Sequence, residues 1–314
     1  MRTTPRSRPS PIRWSPRVGD ATPPIPTPLD SNWLRDHPLP DPDHHADKNA
    51  RGRVFIIGGC ARVPGGLLLT AEAALRAGAG KVQVATARST ALALGVAMPE
   101  IAVFPIDEDH EGEIACLHDG LDDFIARSDA IVVGPAMSGA KAAGAALDRL
   151  LEADDGPALV VDAAALMELP SRAAALAARK SPAILTPHIG EMAAMLDCDA
   201  AEIEADRPAA VRRAAETFGA VVTLKGSTSF VADRDGALFA YAGGGVGLAT
   251  GGSGDVLAGI AAGLAARGAP PLEAALWASW LHGEAGRRCA VEIGPIGFLA
   301  RELLLQVPGL MKAI

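Results

Sequence analysis

Asp255 closes the run Gly247-Leu248-Ala249-Thr250-Gly251-Gly252-Ser253-Gly254-Asp255, which leads into an apolar, Ala-rich segment of helical pattern, residues 256–266. Gly251, Gly252, Ser253 and Gly254 are all small, so backbone N–H groups are left uncovered where a helix should begin. A helix N-terminus carries orphan donors and the positive end of the dipole, which suits an anion. A carboxylate at the mouth of an anion site suits chemistry on a phosphate, or on the hydroxyl that meets it. A flexible glycine loop before a core helix is the plainer alternative. The combination of loop, Asp and a helix too apolar for exposure favours the site. The dipole is expected to lower the pKa of Asp255, and a bound phosphate to raise it.

The other chemistry-bearing residues each follow a short apolar run. Gly58-Gly59-Cys60 and then Pro64-Gly65-Gly66 follow residues 54–57. Glycines there let a ligand approach the backbone, although a tight turn explains them equally well. Gly134-Pro135-Ala136-Met137 follows residues 130–133, and Asp162 ends residues 158–161. Asp162 reads first as a helix cap and second as a holder of hydrated Mg²⁺. Thr186-Pro187-His188-Ile189-Gly190-Glu191 follows residues 183–185. His188 and Glu191 could be a capping arrangement or an imidazole and a carboxylate at a ligand site; two such groups alone do not make a zinc site. His188 is read as a substrate contact. Lys225-Gly226-Ser227-Thr228 follows residues 221–224 and suits a phosphate or a ribose. His282 lies in an apolar helical segment and is read as a core or helix-face histidine rather than a ligand. The sequence has neither G-x-G-x-x-G after a strand nor a G-x-x-x-x-G-K-[ST] loop.

Buried-type apolar runs at 54–57, 82–85, 101–104, 130–133, 158–161, 183–185 and 221–224 alternate with helical patterns such as 67–76, 141–151 and 209–218. That alternation predicts βαβ units and a mostly parallel sheet covered on both faces. Residues 229–232 and 237–241 flank a turn-like Asp233–Gly236 and predict a late antiparallel hairpin, followed by helices at 255–267, 272–291 and 297–306. In such doubly wound α/β sheets ligands bind beyond the carboxyl ends of the strands, where these residues fall.

The chain has 314 residues, 49% hydrophobic and 21% charged, enough for one large α/β domain or two small ones. Its net charge is −8 although residues 1–19 carry five Arg and no acid, so the body is acidic and a nucleic-acid partner is not expected. Cys60, Cys116, Cys198 and Cys289 form no C-x-x-C pair and are expected to be buried free thiols. No run is long and apolar enough for a membrane helix or a secretory signal, so a cytoplasmic location without membrane attachment is expected. Residues 1–45 hold eleven of the 24 prolines and read as a disordered or loosely attached extension, with Trp33 and Leu34 as the first candidates for order; residues 46–314 read as a single domain.

Taken together, these stretches resemble the ADP-dependent NAD(P)H-hydrate dehydratases of the ribokinase-like superfamily, over about residues 46–308. The motifs that carry the resemblance occur in order: Lys48 to Gly52, Gly58-Gly59 with Pro64-Gly65-Gly66, Arg76 to Gly80, Gly134-Pro135, Asp162-Ala163, Thr186-Pro187-His188 with Gly190-Glu191, Leu224-Lys225-Gly226 and Ala249 to Asp255. The sequence departs from the family pattern at Asn49, Ala136, Ala164, Ile189 and the Gly245-Val246-Gly247 run. The resemblance implies a three-layer α/β/α ribokinase-like fold. It also implies repair of the S epimer of hydrated NADH or NADPH, with ADP (or ATP) as co-substrate and Mg²⁺ required. Gly66, Gly134, Ala136, His188 and Asp255 would contact the hydrated dinucleotide, with Asp255 catalytic. Lys225, Gly226, Ser227, Thr228, Ser229 and the Gly251–Gly254 loop would contact the adenine nucleotide. An NAD(P)H-hydrate epimerase on a separate chain is the expected functional partner, and a homo-oligomer is expected. A small-molecule kinase of the same superfamily, acting on a hydroxyethylthiazole- or hydroxymethylpyrimidine-like alcohol, is the alternative. A nucleotide-binding regulatory protein is a more remote one.

Overall fold

A computed structural model describes residues 25–41, 47–117, 119–152 and 156–314. Ten strands form one sheet: β1 (Thr27–Pro28), β2 (Arg53–Ile57), β3 (Lys81–Ala87), β4 (Ile101–Ile106), β5 (Ala130–Val133), β6 (Ala158–Val161), β7 (Ile184–Leu185), β8 (Val221–Leu224), β9 (Ser229–Ala232) and β10 (Leu238–Tyr241). Their spatial order is β1-β10-β9-β8-β7-β6-β5-β2-β3-β4. All neighbours from β8 to β4 run parallel, and β8, β9 and β10 pair antiparallel. The predicted hairpin is therefore present, and it extends the parallel sheet through β8.

Side-chain alternation along the strands builds the three layers. On β2, Val54 and Ile56 enter one core with the helices Gly66–Arg76, Ser253–Ala266, Pro271–Glu292 and Ala300–Met311, while Phe55 and Ile57 enter a second core on the opposite face. The second core takes the helices Ala140–Leu150, Ile189–Leu196 and Arg207–Phe218. Both faces are covered, which is why the strands read as continuous apolar runs. The last helix begins at Ala300, three residues later than its sequence pattern predicts, and continues past Pro308 to Met311.

The order reverses at β2 and β5: the chain goes outward through β3 and β4 in one direction, then through β6, β7 and β8 in the other. A crevice opens at such a switch point, beyond the carboxyl ends of the two strands. The helix Ser253–Ala266 lies across it. All of its residues except Gly254 and Asp255 are buried, as expected of a helix that is apolar on every side. It packs on the helix Gly66–Arg76 at backbone distance. A Cβ on Gly259 would collide with the Thr70 carbonyl oxygen, and one on Gly263 would lie 2.5 Å from that of Ala74.

The expectation that residues 1–45 stay loosely attached is corrected for 25–41; the calls on 1–24 and 42–45 lie outside the described residues. Strand β1 pairs with β10, and the short helix Ser31–Asp36 is capped by the Asp30 carboxylate. Leu34 is fully buried, and the Trp277 indole N–H donates to the His37 carbonyl at 2.9 Å. One inward Leu and a strand edge outweigh the proline-rich composition. The cysteines are free as expected, but only Cys60 and Cys289 are buried; Cys116 is exposed. Among the described residues no helix is long and apolar enough to cross a membrane.

Two substitutions test this packing. Leu34→Ala is expected to cost about 2–5 kcal/mol, measured by denaturant unfolding; no loss would mean that residues 25–41 are not docked. Gly259→Val is expected to cost about 3 kcal/mol through overpacking against Thr70, read as a lowered melting temperature.

Candidate active site

The loop at Gly252 adopts a left-handed conformation, φ +88°, which glycine takes without strain. It turns the chain into the helix Ser253–Ala266. The Ser253 amide donates to Thr250 O and the Val256 amide to Gly252 O, at 3.2 and 3.1 Å. The Gly254 and Asp255 amides have no backbone or side-chain acceptor among the described residues. Two free N–H groups at the positive end of a buried helix make the anion cradle that the sequence predicts.

Opposite this cradle lies a cavity of about 750 Å³. Of the predicted residues, Lys225, Gly226, Ser227 and Ser229 line one side of it. His188, Gly252, Ser253, Gly254 and Asp255 line the rest. Gly251 is exposed and does not line the cavity. Thr228 does not line it either, and its carbonyl accepts a hydrogen bond from Arg207 at 2.7 Å. Gly134, φ +107°, is placed against main chain: a Cβ there would collide with the Asp162 carbonyl oxygen. Its need for glycine comes from the close approach of the turn after β5 to the turn after β6. Gly66 and Ala136 do not line the cavity but lie together beside Asp255. A Cβ on Gly66 would lie 2.8 Å from the Ala136 Cβ and 3.2 Å from Asp255 Oδ2.

Charges converge where β6, β7 and β8 end. Asp162 is 2% exposed and does not cap the turn that follows it, so the capping reading of Asp162 is overturned. Its Oδ1 accepts from the Thr186 hydroxyl at 2.7 Å and from Lys225 Nζ at 3.1 Å. Lys225 Nζ also lies 3.7 Å from Glu191 Oε2, and 3.3 Å from where a Cβ on Gly254 would stand. Burial works against the Lys225 charge, but Asp162 first, then Glu191 and Asp255, outweigh it and hold the ammonium above its ordinary pKa. The cation therefore stays beside the helix N-terminus.

At Asp255 burial sets the direction that the opposing dipole and phosphate left open. Its carboxyl is pushed up to about 7, by burial first and by the Asp162 carboxylate second, with Lys225 acting in the opposite sense. Desolvation outweighs the lowering expected from the dipole. A carboxyl that titrates near neutrality can exchange a proton with a substrate at working pH.

His188 combines both of its readings. Its Nδ1 accepts from the Gly190 and Glu191 amides at 3.0 and 3.3 Å, and Glu191 Oε2 accepts from the His188 amide at 2.8 Å. It is thus the N-cap of the helix Ile189–Leu196, and with Nδ1 accepting, the neutral ring carries its proton on Nε2. The side chain is 60% exposed at the cavity edge.

The lining residues not assigned to the site from sequence include Tyr241, His282 and Glu191 as a partner of Lys225. Tyr241 ends β10 and donates to Glu284 Oε1 at 3.0 Å. It is the only tyrosine in the chain and it closes a strand, a signal that could have found it. His282 faces Ser253, with Nε2 2.9 Å from Oγ.

With this geometry in place, the comparisons are specific. The family model described as NAD(P)H-hydrate dehydratase matches residues 54–308. An ADP-dependent (S)-NAD(P)H-hydrate dehydratase of Xanthomonas campestris is 47% identical over 281 residues, covering 90% of this chain and 94% of that protein. A bifunctional NAD(P)H-hydrate repair enzyme of Moorella thermoacetica is 37% identical across 90% of this chain, which spans 53% of that protein's length. The structure of the Bacillus subtilis ADP/ATP-dependent NAD(P)H-hydrate dehydratase co-crystallised with ATP/Mg²⁺ superposes with a TM-score of 0.76 at 26% identity, covering 91% of this chain and 98% of that one. The fold is accordingly the three-layer ribokinase-like one, and the chain belongs to the NAD(P)H-hydrate dehydratase family.

Proposed function

We propose that this protein dehydrates the S epimer of hydrated NADH or NADPH, consuming ADP and releasing AMP and phosphate. The observation that carries the reading is the Asp255 carboxyl, pushed up to about 7 beside two free helix amides. A protein that only binds phosphate has no need of an acid there. The kinase alternative uses the same loop, but the dehydratase name is the one borne by the relative that is 47% identical.

In this reading Asp255 takes the proton of the hydroxyl on nicotinamide C6 as that oxygen attacks the β-phosphorus of ADP. The new O–P bond forms, and the bond to AMP breaks with AMP taking the electron pair. The Gly254 and Asp255 amides and the Lys225 ammonium stabilise the charge that develops on the transferring group. The ring nitrogen's lone pair then expels the phosphate from C6, and loss of a C5 proton restores the dihydronicotinamide. Gly66, Ala136 and the Gly134 turn flank the reacting hydroxyl, and the His188 Nε2–H offers a donor at the cavity edge. Lys225 to Ser229 and Gly254 hold the adenine nucleotide, ADP or ATP.

Bound Mg²⁺ supplies charge neutralisation on the phosphates. Among the described residues no three ligating side chains group closely enough to hold a metal. Asp162 faces the anion cradle and would suit an ion held mainly by phosphate oxygens, as Mg²⁺ usually is. The S epimer would come from an epimerase, on a separate chain in this reading, in the cytoplasm where the dinucleotides are used. Assembly into a homo-oligomer belongs to the same reading.

The direct test incubates chemically hydrated NADH with the protein, ADP and Mg²⁺. Recovery of dihydronicotinamide absorbance with equimolar AMP and phosphate is expected; a stable phosphorylated product would point to the kinase. Asp255→Asn is expected to lower kcat by roughly 100-fold or more while still binding ADP. For the wild type, kcat/KM should rise with pH through about 7, where Asp255 becomes the base. The same shift has a stability consequence. The folded pKa is above the unfolded one, so ionising Asp255 costs stability as pH rises from about 4 to about 7. Asp255→Asn should therefore raise the melting temperature at pH 8, and the gain should vanish toward pH 4. A gain of the opposite sign would place Asp255 outside this role.

A further inference from the structure

We infer that His282 is a positioning residue of the phosphate cradle, holding the Ser253 hydroxyl so that its proton points into the cavity. The inference rests on the reading above that an anion occupies this helix N-terminus. His282 sits within the helix Pro271–Glu292 among the buried Trp280, Leu281 and Gly283, an apolar stretch in which an imidazole has no packing advantage. Both side chains line the cavity. Ring Nε2 is 2.9 Å from Ser253 Oγ, and Ser253 is 6% exposed.

The Ser253 amide is already used, donating to Thr250 O. Its hydroxyl is thus the one donor the residue can still offer, and a hydroxyl has a single proton and two acceptor lone pairs. If that proton went to His282, only lone pairs would face an incoming phosphate, which is repulsive. If the imidazole N–H donates to Oγ, the hydroxyl proton is free for the anion. We take the second arrangement, because it alone leaves the Ser253 hydroxyl a donor for an anion. The ring is neutral, its pKa lowered to about 4 by burial, so only one nitrogen bears hydrogen. The Ser253 main chain acts against that lowering without offsetting it. The nearby Lys225 ammonium adds to the pressure against a second proton. The cradle then has three classes of donor: the Gly254 and Asp255 amides, the Lys225 ammonium and the Ser253 hydroxyl.

The test measures ADP and AMP affinities of the full chain by calorimetry, because only ADP brings the phosphoryl group that the cradle would hold. His282→Phe is expected to weaken ADP about tenfold and AMP much less. His282→Gln, whose amide N–H can replace the ring donor, should recover much of the loss. Ser253→Ala should match His282→Phe, and the double variant should be no worse than either single one. Equal weakening of ADP and AMP, or additive losses, would reduce the pair to a tie between two helices and overturn the inference. Should His282→Phe fail to fold, Ser253→Ala and His282→Gln still give the ADP-to-AMP comparison. Wild-type protein that fails to repair hydrated NADH, yet shows this selective ADP loss in the variants, would contradict the dehydratase reading and support this one.

Discussion

The backbone contact between the helices Ser253–Ala266 and Gly66–Arg76 is the constraint on which the site depends. It requires glycine at 259 and 263, where any larger residue would meet the carbonyls of Thr70 and Ala74. Because the two helices meet that closely, their N-termini converge at the β2/β5 switch point. Gly66 is brought beside the Asp255 carboxylate, and the free amides of Gly254 and Asp255 face the ends of β6, β7 and β8. A wider separation would leave the same residues in the same order along the chain without a shared site.

The burial that this packing enforces also sets the chemistry. Asp255 is the one acidic residue in the first turn of a helix otherwise closed to solvent, and desolvation keeps its proton near neutrality. Asp162 adds a like charge, while its bond to Lys225 fixes a cation where transferred phosphate would lie. One carboxylate is thus tied to an ammonium and a threonine hydroxyl, and the other is left poorly solvated. Environments that push two carboxylates apart in this way are how a site divides structural from proton-transfer duties. The arrangement costs folding free energy, a cost characteristic of sites held for function.

Much of this was legible in the sequence, for identifiable reasons. The Gly251–Asp255 run and the apolar helix behind it announced an anion site, since small residues before a buried helix leave amides free. Strand ends were legible because both faces of the sheet are covered and the strands are uniformly apolar. Long-range electrostatics was not. Nothing local to Asp162 distinguishes a helix cap from the partner of a lysine 63 positions away. For Asp255 the sequence offered a lowering dipole and a raising phosphate, both local effects, whereas burial, which only the tertiary structure determines, raises its pKa. Trp33 and Leu34 were legible as candidates for order, whereas the pairing of Thr27–Pro28 with β10 was not, because a strand edge leaves no mark on a proline-rich composition. Gly134 lies against the Asp162 main chain, a requirement for glycine that sequence alone does not separate from substrate contact.

The central claim is that burial beside Asp162 holds the Asp255 carboxyl near neutrality, ready to take a proton from a substrate hydroxyl. Carbon-13 NMR titration of aspartate-labelled protein, with Asp255→Asn used to assign the resonance, tests it most directly. The account predicts a midpoint of about 7 in the free protein, moving lower in Asp162→Asn when the like charge is removed. A midpoint near the ordinary aspartate value of about 4, unaffected by Asp162→Asn, would contradict it.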